Sequence, residues 1–113
     1  MSTGTSRTRI DEWIAASNAH DTAAYLAFFT DDAVLDDPSV GDVFEAAEGL
    51  RRYFETYVIG YGTQTRVVGI TLEDDFTHVE VDFTGTFPGG QVGGIFDITF
   101  DGDKISFVRA DLL

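Results

Sequence analysis

From Thr63 to the C-terminus the chain reads as one strand after another, and this constrains its fold more than any other feature. Gln64–Leu72 stops at the acidic turn Glu73-Asp74-Asp75, and Thr77–Phe87 stops at Pro88-Gly89-Gly90. Val92–Phe100 stops at Asp101-Gly102-Asp103, and Ile105–Leu113 closes the chain. Gly, Asp and Pro are the residues that tight reversals require. Strands joined this way form an antiparallel meander, whose apolar face has to be covered by what precedes it.

The first half supplies the cover. Ile10, Trp13, Ile14 and Ser17 recur at i, i+3, i+4 and i+7, which predicts a helix from Ser6 or Thr8 to about Ala19 with one buried stripe. Met1–Thr5 reads as a frayed start, extending to about residue 7. Asp21 is a good N-cap for a second helix, Thr22–Phe29, because its carboxylate can accept from the free N–H groups of the first turn. Asp31-Asp32 closes that helix. Ala33–Asp37 then alternates as a short strand that ends at Pro38, which cannot continue a ladder. Ser39–Phe44 reads as loop, and Glu45–Val58 returns to helical spacing through Leu50, Tyr53, Phe54, Tyr57 and Val58. Helices gathered ahead of a meander predict an α+β fold, with three N-terminal helices packed on one face of a curved, mostly antiparallel sheet.

Length and composition narrow the class. The 113 residues fit one domain, and the absence of Cys excludes disulfide scaffolds, zinc–cysteine sites, iron–sulfur clusters and thiol catalysis. Apolar runs such as Ala23–Phe29 are far too short to cross a bilayer, and no signal-peptide core follows Met1–Arg9. We therefore expect a soluble, cytoplasmic single domain. Seven Lys and Arg against 20 Asp and Glu give a formal charge of −13. That field repels polyanions, so nucleic acid and anionic membranes are not expected partners. The acidity fits either adaptation to high salt or an ordinary acidic protein.

Local sequence adds a family. His20-Asp21, then Phe29-Thr30-Asp31-Asp32-Ala33-Val34-Leu35-Asp36-Asp37-Pro38, resembles the nuclear transport factor 2-like superfamily, and in particular SnoaL-like polyketide cyclases and ketosteroid isomerases. Glu48 and Leu50 in the following helix and the closing hairpin Asp101–Ile105 match as well, so the resemblance spans about residues 8–113. It implies a cone-shaped fold with an open, mostly apolar pocket for a small hydrophobic, oxygenated molecule, and homodimers formed through the open sheet face. No metal or organic cofactor is implied. Fold and function separate readily in such families, so activity has to be argued residue by residue.

Asp37 lies where the isomerases keep their general base. A carboxylate can serve as base or acid there if it projects into an apolar cavity, where desolvation brings carboxyl groups towards the working pH. Ala33, Leu35 and Asp37 share a face, which fits that orientation; the alternative is an Asp that caps a turn before Pro. The oxyanion-donating Tyr of the isomerases falls on Trp13, the Tyr residues that support it fall on Phe29 and Phe54, and the neutral-acid position falls on Phe96. The resemblance thus implies Trp13, Phe29, Phe54 and Phe96 as ligand-contacting positions while removing the isomerase oxyanion hole. In the cyclases and the related epoxide hydrolases an Arg-Asp pair sits on the last strand; here Arg109 matches, but Ala110 takes the acid's place. His78, Glu80, Asp82, Thr84 and Thr86 share one strand face, and Asp82 matches an epoxide-hydrolase acid, making it a second catalytic candidate. That stripe either lines the pocket or faces water. Residues two apart on a strand stand roughly 6.5–7 Å apart, too far for a metal bonded at about 2.1 Å without other ligands, so no metal site is expected. The functional expectation is proton transfer of isomerase, cyclase or hydratase type with Asp37 as acid or base; the alternative is a non-catalytic binding or dimerising module of the same fold.

Overall fold

The computed structural model describes residues 3–113. Its elements run α1 (Thr3–Asn18), α2 (Thr22–Leu26), β1 (Phe29–Asp37), β2 (Asp42–Glu45), α3 (Ala46–Tyr53), a π-helical turn (Phe54–Ile59), β3 (Gln64–Leu72), β4 (Thr77–Thr84), β5 (Gln91–Asp101) and β6 (Lys104–Leu112). One six-stranded sheet has the order β2-β1-β6-β5-β4-β3. All neighbours are antiparallel except β1 and β6, which pair in parallel because the whole helix-and-meander segment separates them in sequence. This is the expected α+β architecture: helices on one face of a curved, mostly antiparallel sheet.

The stripe Ile10, Trp13, Ile14 and Ser17 is buried, as its spacing predicts, and turns α1 towards the sheet. Asn18 fixes the helix end to β3: its side chain accepts from the Thr65 N–H (2.7 Å) and donates to the Thr65 carbonyl (2.9 Å). At its other end, the Arg9 guanidinium donates to the Asp103 carbonyl (3.1 Å) and stacks 4.7 Å over the Phe28 ring, which ties α1 to the last hairpin. The Asp21 cap forms as expected, accepting from the Ala24 N–H at 3.1 Å.

Four local expectations are corrected. Helix α1 already includes Thr3, so residues 3–7 are helical rather than frayed; Met1 and Ser2 lie outside the described residues. Helix α2 ends at Leu26, and Phe29–Asp32 opens β1 instead of closing the helix. The Phe28 carbonyl accepts from the Ile105 N–H (2.8 Å), so pairing with the last strand outweighs local helical spacing. Asp42–Glu45, expected as the end of a loop and the first residue of the third helix, is an edge strand hydrogen-bonded to the end of β1. The third helix is α-helical only to Tyr53, after which it widens into the π turn. Such turns are rare and concentrate at functional sites.

Candidate functional site

Between α1, the π turn and the inner face of the sheet lies a cavity of about 380 Å³. Trp13, Ile14 and Ser17 of α1 form one wall, and Phe83 and Phe96 of β4 and β5 form the floor. Tyr53, Tyr57 and Val58 bring the end of α3 and the π turn to the opposite wall. Tyr61, Phe87 and Pro88 stand at the margin, where the Thr86 N–H and hydroxyl both donate to the Tyr61 carbonyl (2.8 and 3.0 Å). Glycine at position 94 matters to the floor: a Cβ there would come within 2.4 Å of the Phe83 ring and 2.9 Å of the Asp111 carbonyl.

Asp37 closes β1 and lines this cavity, 5% exposed. One oxygen, Oδ1, accepts from the Ser39 N–H (3.0 Å) and from the Ser39 hydroxyl. The other, Oδ2, accepts from the Tyr53 hydroxyl at 3.1 Å. The two readings of Asp37, turn cap and cavity carboxylate, are therefore both realised in one side chain. Ser39 locks Oδ1 into the turn, and among the described residues Oδ2 accepts from Tyr53 alone. Burial, and then the negative charge of Asp37, raise the Tyr53 phenol well above its ordinary value, so Tyr53 stays a donor. Tyr25, stacked on Phe54 at 4.0 Å between ring centroids, is likewise raised by burial.

Trp13 lines the cavity and is packed against Tyr25 (5.8 Å) and Phe96 (5.2 Å). Its indole Nε1 is the one buried side-chain polar atom without a partner among the described residues. An unmade hydrogen bond of this kind costs about 1–3 kcal/mol. Native proteins seldom leave one unless a ligand, an ion or water meets it.

A family model described as the SnoaL-like domain matches residues 10–111. The chain belongs to the SnoaL-like family. No curated protein matches its sequence. Among solved structures, the SnoaL-like chain is similar to a candidate polyketide cyclase from Sinorhizobium meliloti (20% identity, TM-score 0.83, covering 91% of this chain and 93% of that one). It is also similar to a candidate ketosteroid isomerase from Kribbella flavida (14% identity, TM-score 0.83, covering 98% and 79%). A de novo designed protein with a curved β-sheet superposes as well (15% identity, TM-score 0.82, covering 100% and 88%). At these identities the likeness is one of fold, which a de novo designed protein shares.

Of the expected site residues, the SnoaL-like fold brings Asp37, Trp13 and Phe96 together around the cavity. It places three others elsewhere. Phe29 and Phe54 are buried behind the wall, in contact with Trp13 and Tyr25, so they support lining residues without lining the cavity themselves. Asp82 points to the outer face of the sheet and pairs with the Arg66 guanidinium, so it is no part of this site. Strand alternation is the reason: Val79, Val81 and Phe83 turn inward, and the polar stripe turns out. On that outer face His78 Nδ1 meets Asp97 Oδ1 at 2.6 Å, and Arg109 lies exposed beside Asp111. Among the described residues no group of three or more His, Asp or Glu is placed to hold a metal.

Spacing alone did not single out the tyrosines. All four in the chain, Tyr25, Tyr53, Tyr57 and Tyr61, line the cavity, whereas only three of its ten phenylalanines do. The available signal was the hydroxyl: a buried Tyr needs a partner for its O–H, so Tyr where Phe would pack equally well marks a polar lining.

Proposed function

We propose that this SnoaL-like domain takes a small, mostly apolar, oxygenated molecule into the cavity and that Asp37 moves a proton on it, in a reaction of isomerase or cyclase type. The observation that carries the reading is Asp37 itself: a buried carboxylate on the wall of an aromatic cavity, held in place by Ser39 and Tyr53. A proton acceptor held this way needs no reorganisation as the C–H bond breaks. The candidate cyclase and isomerase among the structural neighbours supply the reaction classes.

Deuterium uptake from heavy water into a β,γ-unsaturated cyclic ketone, followed by proton NMR, tests this. The native domain should accelerate exchange and migration of the double bond, and Asp37→Asn should lose that acceleration by a factor of a hundred or more, roughly the size of a general-base effect. Equal rates for the two proteins would remove Asp37 as the base. Ketone binding without turnover in the native protein would favour the non-catalytic binding module.

A further inference from the structure

Among the described residues, the cavity holds a carboxylate that no basic side chain answers. Asp37 is almost wholly buried, yet it takes part in no ion pair among the described residues, and its partners, Ser39 and Tyr53, are neutral donors. Among the described residues no Lys, Arg or His lines the cavity, and Asp111, which also borders it, has its carboxylate beside Arg109. The rest of the wall is rich in rings. Tyr25, Trp13 and Phe96 form a continuous run of ring contacts on one side, and Tyr53 and Tyr57 stand 5.5 Å apart on the other. Aromatic faces attract cations, more strongly where water is excluded. A chain of net charge −13 adds a long-range field of the same sign.

From these observations we propose that the cavity binds an organic ammonium ion, with Asp37 as its counter-charge and the rings of Trp13, Tyr53 and Tyr57 as its cage. This rests on the reading of the cavity as a small-molecule site and narrows the ligand to an oxygenated molecule that carries a protonated or quaternary amine. Carboxylate and phosphate ligands are disfavoured, because each would meet Asp37 with no basic residue to offset it.

Calorimetric titration with choline, its uncharged carbon isostere 3,3-dimethylbutan-1-ol, and acetophenone tests the proposal. Choline should bind at least about tenfold more tightly than the isostere, an advantage that Asp37→Asn should reduce to within about twofold. Choline binding no tighter than the isostere overturns the proposal. So does a preference that survives in Asp37→Asn, because it then belongs to the general surface charge. A wild-type protein without a choline preference overturns the proposal even if the variant fails to fold. Acetophenone separates the two levels: its binding without a choline preference leaves the small-molecule reading standing, whereas failure of all three probes removes both.

Discussion

At the scale of single residues, the arrangement turns on the hydrogen bond from Tyr53 to Asp37, which joins α3 to the end of β1 at the cavity wall. Removing a donor to a buried carboxylate leaves that acceptor short of a partner. Tyr53→Phe should therefore lower stability by about 1–3 kcal/mol in chemical denaturation, while the ring keeps its packing against Phe44. The phenols set an alkaline limit as well. Tyr25 and Tyr53 are both raised above the unfolded phenol value of about 10. The stability they contribute is fully present below that pH and is lost as pH rises through their folded values. Ultraviolet titration should show a phenolate fraction that appears only as the protein unfolds, and Tyr25→Phe and Tyr53→Phe should each diminish it. An early, non-cooperative appearance of all the phenolate would contradict their burial.

At the scale of elements, β5 shows how close packing dictates sequence. Gly94 faces Val81 across the β4–β5 ladder, and the space a side chain would occupy is filled by the Phe83 ring and the Asp111 carbonyl. The strand is regular there, and glycine is needed to leave room for a ring. Gly94→Ala should destabilise by about 1–3 kcal/mol, seen as a lower thermal midpoint, by forcing Phe83 off its place. Legibility varied with how local each signal was. The boundaries of β3 follow directly from alternation and flanking turns, and the α1 stripe follows from a 3.6-residue period. Edge strand β2 was not legible, because four residues whose pairing partner is the end of β1 carry too little pattern. The π turn was invisible for a different reason: Phe54, Tyr57 and Val58 satisfy α-helical spacing, and the extra backbone width answers to the packing around it.

At the scale of the whole molecule, the dominant quantity is charge. With 20 acids against seven basic residues, self-repulsion opposes the folded state, and salt screens it. Melting temperature should rise from low to molar KCl; a flat profile would sink the idea of adaptation to high salt. The outer sheet face has a row in which Asp36, Arg109, Asp97 and His78 lie side by side across four strands, with Phe107 exposed nearby. Opposite charges interleaved with an exposed ring suit pairing with a second copy, and we propose a homodimer through this face. Sedimentation should give twice the 12.4 kDa chain mass, and a monomer at micromolar concentration would count against it. No helix among the described residues is long and apolar enough to cross a membrane.

By itself the sequence determined the order of the helices and of every strand but β2, the face on which Asp37 sits, and the family. Each of these rests on periodicity, turn chemistry or a contiguous motif, which act over a few residues. Only the tertiary structure decided what shares the cavity with Asp37. Tyr53 is 16 positions away and Phe96 is on another strand, and Phe29 and Phe54 fall one layer behind residues that a family match equates with the lining. A cavity is the space that packing leaves unfilled, set by the curvature of the sheet and the depth of each ring. Neither has a local signature in the chain.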